Sequence, residues 1–442
     1  ADFQQIDMEI INRDSGLYKF KPDYLIVHES VISFKDKFYS ESGDEKTFYK
    51  RYVTRLKDLF NKASELIPNI KIIYTTFDLE TDMVFGNYYS KVEDSFSAQL
   101  QYFNYEIIRL PLSHDNLYLI DINQLAVKHG NIRDPRLLIN SELHFSISFT
   151  KIIAKSIKQI INAHEGKFIK CIILDLDNTL WGGVIGDDGI DSIQIGNLGI
   201  GKAFTNLQKW LKKLKNRGIL LCVCSKNEES IAKGPFLKND EMILSLDDFA
   251  VFVANWNNKV DNIKYIKSIL NIGYDSMVFI DDNPVERELV KSNINEITVP
   301  DLPKDPSFYL SYLMNQNLFE TTSYSNLDKK RTEQYQSAGK RLDLETSSVN
   351  MKEFLKSLKM VGAIEKFNSS NIPRITQLIQ RTNQFNARNI RYDKMAIKKI
   401  TEDRNYFKFS IILSDKFGSH GIVSCLILKL IDNDTAFIDT YV

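Results

Sequence analysis

Cysteine is scarce in this chain: four in 442 residues, at Cys171, Cys222, Cys224 and Cys425. Their number and spacing match neither a secreted disulfide framework nor a four-ligand zinc site. Three lie in apolar, β-like runs, where a small buried thiol is the ordinary outcome. A reducing, cytoplasmic setting is therefore expected. An excess of either charge is also missing, since 57 Lys and Arg balance 57 Asp and Glu. With no basic block as well, nucleic-acid backbone binding is not the expected role. No apolar run approaches the roughly 20 residues that span a bilayer. Low-complexity tracts and internal repeats are absent too. An apolar content of 43% with 26% charged residues excludes a largely disordered chain. The opening Ala1-Asp2-Phe3-Gln4-Gln5 is neither a signal peptide nor an initiator methionine and reads as the start of a processed or excised piece.

What is present points to two or three domains. Up to residue 166, short buried runs (Tyr24 to Val27, Ile70 to Thr75, Leu117 to Ile120) alternate with helical patterns such as Phe48, Tyr52, Leu56, Leu59 and Leu66. A further helix is predicted from about Phe145 to His164, with Gly166 as its stop. Alternating β and α implies a parallel sheet. Residues 167–303 repeat the pattern, with strands at 171–175, 219–224, 249–253 and 277–280 and helices near 204–214 and 260–270. Such a doubly wound sheet places its ligands beyond the carboxyl ends of its strands. Residues 304–345 are polar and helix-prone and read as a connector. From 346 to 442 the pattern is α+β, with helices near 371–381 and 392–401, then strands at 406–414, 421–430 and 435–442 around an Asp432-Asn433-Asp434 turn. The chain stops inside that last strand, so the final domain is expected to continue.

Four strand ends of the 167–303 segment each deliver a polar group. The first delivers Asp175 and Asp177, the second Ser225. The third leads to Lys259 at the start of a helix, and the fourth ends in Asp281 and Asp282. Carboxylates at the end of apolar strands cost several kcal/mol to desolvate unless something compensates. An isolated Asp-x-Asp could simply be an Asx-turn, but four such ends in one sheet suggest a cation and a reacting phosphate. One carboxylate can attack phosphorus and form an acyl phosphate. A second, two residues on, can serve as acid and then base. Mg²⁺ takes one or two carboxylates with phosphate oxygens and water. A hydroxyl and a lysine then hold the remaining phosphate oxygens.

The wording Leu-Asp-Leu-Asp-Asn-Thr-Leu-Trp-Gly-Gly-Val-Ile-Gly (174–186), Cys-Ser-Lys-Asn (224–227) and Phe-Ile-Asp-Asp-Asn-Pro-Val-Glu-Arg-Glu (279–288) resembles the FkbH-like branch, subfamily IIIC, of the haloacid dehalogenase (HAD) superfamily. The resemblance implies Asp175 as nucleophile and Asp177 as general acid/base. It implies phosphate or substrate contacts from Ser225, Lys259, Asn227 and Gly182. It also implies a Mg²⁺ site of Asp175, the Asp177 main chain and Asp282, with Asp281 beside it. The fold class it implies is α/β with three domains: an N-terminal flavodoxin- or SGNH-like domain (1–166), a central capless Rossmannoid HAD domain (167–303) and, after the connector, a C-terminal α+β GNAT-like domain (346–442). Only about twenty residues separate Lys259 from Asp281, too few for a cap, and 181–201 suffices for a hairpin flap alone. An uncapped site admits bulky or protein-bound substrates.

By the same resemblance, phosphate removal is coupled to transfer of a small acyl group, such as glyceryl from a bisphosphoglycerate, onto a carrier thiol. Related proteins sit in polyketide or surface-polysaccharide (O-antigen or capsule) pathways, and an acyl carrier protein is the implied partner. The alternatives are a phosphatase acting on a sugar phosphate or nucleotide-linked sugar, and a non-catalytic interaction module. An SGNH hydrolase carries Gly-Asp-Ser after its first strand and Asp-x-x-His near its end. Here Asp14-Ser15-Gly16 follows no strand and His144 follows Asp134 at the wrong spacing, so serine-hydrolase activity is not expected. The phrases Gln380 to Asn386 and Asp415 to Gly421 are typical of the family and read either as a carrier or polar-substrate site or as a plain surface helix and hairpin turn. Cys224 adjoins Ser225, and some members pass an acyl group through an enzyme thiol. Strand alternation turns neighbouring side chains to opposite faces, which favours a buried structural thiol. His28, His114, His129, His164 and His420 have no partner at ligand spacing and are assigned no role.

Overall fold

The structure is a computed structural model that describes residues 5–442 apart from 42, 81, 131, 325–327, 329–330, 334, 337–355, 357, 383–385, 387, 417 and 433. The fold is mixed α/β. The chain divides into two compact units, Ala1–Ile161 with Tyr392–Ile400, and Asn162–Arg391 with Thr401–Val442.

In the first unit, β1 (Tyr24–Val27), β2 (Lys71–Thr75) and β3 (Leu117–Ile120) form a parallel sheet in that order. One face is covered by helices Val31–Ser40, Phe48–Leu66 and Phe96–Arg109, whose apolar stripes close on a ring-rich core of Phe34, Phe48, Tyr52, Phe77, Phe96 and Phe103. Phe34 meets Phe48, Tyr52 and Phe103 edge-on or tilted, while Phe77 stacks on Phe103, both arrangements that the aromatic quadrupole allows. The predicted last helix runs Ile147–His164. It stops as the glycine requires: Gly166 takes φ +77°, and the Gly166 and Lys167 amides donate to the carbonyls of Ala163 and Asn162.

The second unit holds a parallel sheet of β4 (Cys171–Leu174), β5 (Leu220–Ser225), β6 (Phe249–Ala254) and β7 (Met277–Ile280), ordered β6-β5-β4-β7. Strands β4, β5 and β7 are buried along their whole length, as continuous apolar runs in a doubly covered sheet must be. Helix Gly201–Asn216 covers one face through Phe204, Leu207, Leu211 and Leu214. Helix Lys259–Leu270 covers the other through Ile263, Ile266 and Leu270. The start of the stretch read as a polar connector belongs to this core. Helix Tyr309–Gln316 buries Tyr309 and Leu313, and Phe319 follows them in against Trp210. The i, i+4 pair is enough to dock a two-turn helix; residues 337–345 lie outside the described ones.

A second, antiparallel sheet follows, ordered β11-β10-β9-β8: β8 (Val361–Lys366), β9 (Tyr406–Asp415), β10 (Gly418–Leu430) and β11 (Ala436–Tyr441). Helices Ile372–Arg381 and Lys394–Glu402 stand where periodicity puts them. Strand β8 was not foreseen, because it is an exposed edge and lacks apolar alternation. Asn433, at the predicted turn, lies outside the described residues. No described helix is long and apolar enough to cross a membrane.

Candidate active site

The carboxyl edge of the β6-β5-β4-β7 sheet gathers the residues singled out above. Beyond β4, Asp175 stays in the ladder through its amide, which donates to the Ile280 carbonyl at 3.0 Å. Its Oδ1 accepts the Leu176 amide at 2.8 Å and its Oδ2 lies 2.8 Å from Lys259 Nζ. The chain then reverses through Asn178, at φ +53°, a left-handed conformation that Asn tolerates better than most side chains. This turn sends Thr179 back toward β7, where its Oγ1 accepts the Asp282 amide at 3.2 Å.

Beyond β7, Asp281 is fully buried; its Oδ1 accepts the Asn283 amide at 2.8 Å and its Oδ2 meets Lys259 Nζ at 2.5 Å. Arg287 reaches back from helix Pro284–Asn293 and donates to the main-chain carbonyls of Asp281 and Asp282 at 2.8 and 2.6 Å. Lys259 opens its helix behind the Asn258 cap and is 2% exposed. Ser225 ends β5, buried, with its Oγ accepting from Asn227 Nδ2 at 3.2 Å.

One ammonium is thus shared by two carboxylates while a third, Asp282, stands beside them. Burial alone would lower Lys259, but Asp175 and Asp281 outweigh it and raise it. Burial and the Asp175 charge push the Asp281 carboxyl up, to about 6, because Lys259 divides its charge. Burial and Asp175 raise Asp282 too. Carboxylate oxygens of Asp175, Asp281 and Asp282 lie within 4.8 Å of one another. Three carboxylates against one ammonium leave negative charge that a hard divalent cation would neutralise, and the all-oxygen donor set suits Mg²⁺.

Two of the residues singled out above are bonded within the chain. The Asp177 side chain stands outside the carboxylate triplet: Oδ1 accepts from Trp181 Nε1 and the Ile185 amide, both at 3.0 Å, and Oδ2 accepts from Asn227 at 2.8 Å. Of about four carboxylate lone-pair sites, three are used, leaving one on Oδ2 for a proton. Gly182 does not offer its amide to a substrate. That amide donates to the Gln194 carbonyl at 3.0 Å, and the Gly182 carbonyl accepts the Gln194 amide at 2.8 Å. Gly182 therefore closes the flap, which otherwise holds only the short helix Ile185–Asp188. Asn227 touches Asp177 and Ser225 through its side-chain amide, so it orients both. Thr179, Trp181 and Arg287 went unassigned although their motifs were noted, because their work is done across the fold.

Cys224 lies on the sheet face covered by helix Lys259–Leu270, packed with Cys171 and Cys222, and its Sγ is 3.8 Å from the Lys259 carbonyl. Burial pushes its thiol up to about 12. In the first unit, His28 meets Thr75 Oγ1 at 2.6 Å, and His144 Nε2 meets Asp78 at 2.9 Å. Arg133 bonds both Asp78 and Glu80. In the last sheet His420 meets Asp415 at 3.0 Å. His28 and His420 thus find a partner through β pairing and His144 through loop return.

Residues 1–162 match the family model described as the FkbH N-terminal domain. A HAD-like hydrolase superfamily protein of Schizosaccharomyces pombe is 28% identical over 171 residues, 34% of this chain and 95% of that protein. The crystal structure of the N-terminal part of the protein BF1531 from Bacteroides fragilis, which contains a phosphatase domain and is complexed with Mg, is 44% identical, with a TM-score of 0.70 over 73% of this chain and 86% of that one. On that identity and coverage, joined to the motif geometry above, the chain belongs to the HAD/FkbH-like family.

Proposed function

We propose that this chain is a Mg²⁺-dependent phosphatase working through an aspartyl-phosphate on Asp175. The observation that carries the reading is the convergence of Asp175, Lys259, Asp281 and Asp282 at one sheet edge, with Asp177 two residues away. The Mg-bound phosphatase-domain structure from Bacteroides fragilis supports it.

In the first step an Asp175 oxygen attacks phosphorus and the bond to the leaving oxygen breaks, while Asp177 delivers the proton that oxygen takes up. In the second, water gives a proton back to Asp177 and attacks phosphorus, the bond to Asp175 breaks, and inorganic phosphate leaves. The Ser225 hydroxyl and Lys259 ammonium hold non-bridging oxygens. Lys259 also holds Asp175 in place for attack through its 2.8 Å contact with Oδ2. Mg²⁺ held by Asp175 and Asp282, with Asp281 behind them, would neutralise charge on the phosphoryl oxygens.

The finer reading is that a small, glyceryl-type acyl group, as from a bisphosphoglycerate, passes to a carrier thiol in polyketide or surface-polysaccharide assembly: the thiol attacks the acyl carbonyl, gives its proton to the departing acyl-bound phosphate, and Asp175 takes the phosphoryl group at the other position. The short flap leaves the site open to a carrier-bound group. Phosphate release from acyl phosphates and sugar phosphates, measured with and without Mg²⁺, tests the general reading; full activity in Asp175→Asn would sink it. Carrier acylation in Cys224→Ala tests the finer one. Acylation retained there leaves the thiol structural, whereas acylation lost with phosphate release intact makes Cys224 the acyl-bearing group.

A further inference from the structure

At the amino edge of the same sheet, behind the reacting groups, cations outnumber carboxylates. Lys170 immediately precedes β4, and Arg374 and Arg381 project from helix Ile372–Arg381. Arg331 joins them, its Nη1 3.4 Å from the Gly218 carbonyl. The Phe168 ring carries two of these charges, with Lys170 Nζ 5.2 Å and the Arg381 guanidinium 5.4 Å from its centroid.

A single buried carboxylate, Asp328, ties the group together. It accepts from Gln377 at 2.6 and 2.7 Å and from Arg381 at 2.8 Å, and lies 3.8 Å from Arg331. Arg374 bonds Gln377 Oε1 at 2.6 Å. Among the described residues, no ion pair joins Arg374 or Lys170 to a carboxylate. Among the described residues, these four cations and Arg391 therefore face Asp328 and, beside Lys170, Asp275, in a region where the Arg331 and Arg381 side chains are 16% and 11% exposed.

Desolvated like charges repel, and proteins seldom leave them uncompensated. The strain is visible in the protonation equilibria. Burial, and then Arg331, pull Lys170 down to about 8 and Arg381 to about 10, and lower Arg374 in the same order. We propose that Lys170, Arg331, Arg374 and Arg381 form a second binding site, for a phosphate-bearing ligand, at the edge of the central sheet opposite Asp175. Planar guanidinium forks suit phosphoryl oxygens. Five strand steps of about 3.3 Å put Lys170 roughly 16 Å from Asp175, so the two sites can fill independently. The residual accessibility of the arginines gives the ligand its approach.

Inorganic pyrophosphate and inorganic phosphate are the probes, used on the full chain in metal-free buffer with acetate and chloride as controls. Calorimetry is expected to show saturable binding of a phosphate-class anion, weakened about tenfold or more in Arg374→Gln and Lys170→Gln. Pyrophosphate favoured over phosphate would mark a diphosphate ligand, and the reverse a monophosphate. Thermal unfolding supplies the second reading. Without ligand, Arg374→Gln and Lys170→Gln are expected to melt no lower than the parent, because each removes repulsion, yet to lose the rise in Tm that pyrophosphate gives. Destabilised variants with unaltered anion binding would overturn the proposal by making the cluster a structural network. Equal response to chloride or acetate would overturn it as well.

Discussion

Asp175 and Lys259 depend on each other. The lysine is almost wholly buried because two carboxylates hold it, and those carboxylates are tolerated because it is there. Asp175→Asn is expected to lower phosphate release by about a thousandfold or more while leaving the fold intact, as nucleophile removal does elsewhere; single-turnover kinetics and thermal melting check the two halves. Lys259→Met strands Asp175 and Asp281 without a cation. It is expected to destabilise the metal-free protein by about 3 kcal/mol, part of which Mg²⁺ should restore, as denaturant titration with and without the metal would show. The pH dependence has a definite sign. Asp281 is raised to about 6, so its carboxyl is protonated below that pH and ionised above it. Protons and Mg²⁺ then compete, and Mg²⁺ affinity measured by calorimetry should rise from pH 5 to 7 and flatten above. The identities of these residues were legible in the sequence because strand-terminal carboxylates are chemically conspicuous. The Trp181 bond to Asp177 was not, since nothing in a linear motif says which way an indole N–H turns.

Among the elements, the flap and the loop after β7 do the positioning. Gly182 is a glycine because a Cβ there would sit 2.7 Å from Gln194 Oε1 and 2.9 Å from the Phe204 ring. Gly182→Ala is therefore expected to cost about 1–3 kcal/mol by overpacking, read as a lowered urea midpoint, and to reduce activity by loosening the turn that carries Asp177. The strands of the central sheet were readable to within a residue or two, because a strand buried on both faces shows as an unbroken apolar run. Strand β8 was missed for the opposite reason: as an exposed edge it carries no burial pattern. The docking of helix Tyr309–Gln316 was missed because only two of its side chains are buried, too few to stand out in a polar stretch.

Over the molecule as a whole, buried ion pairs tie distant segments. In the first unit Asp78 is bonded by His144 and Arg133, which lie 66 and 55 residues further along the chain. Burial would raise the Asp78 carboxyl, but His144 and Arg133 outweigh it and hold it low. A depressed acid stabilises the fold above its unfolded pKa, near 3.9, and that contribution is lost as pH falls through the folded value. Asp78→Asn is expected to lower stability at pH 7 and to flatten its fall below about pH 4, which acid titration of chemical stability would reveal; an unchanged acid limb would count against the pairing. Composition, apolar runs and the spacing of Asp175, Asp177, Ser225, Lys259 and Asp282 were enough to indicate the α/β class and the groups that gather at the sheet edge, because both rest on local pattern and residue type. The cations around Asp328 and the return of Thr179 and Arg287 onto the β7 loop could not be read that way. They are set by which chain segments the folded sheets bring together, and the energies of charge and hydrogen bonding depend on that proximity.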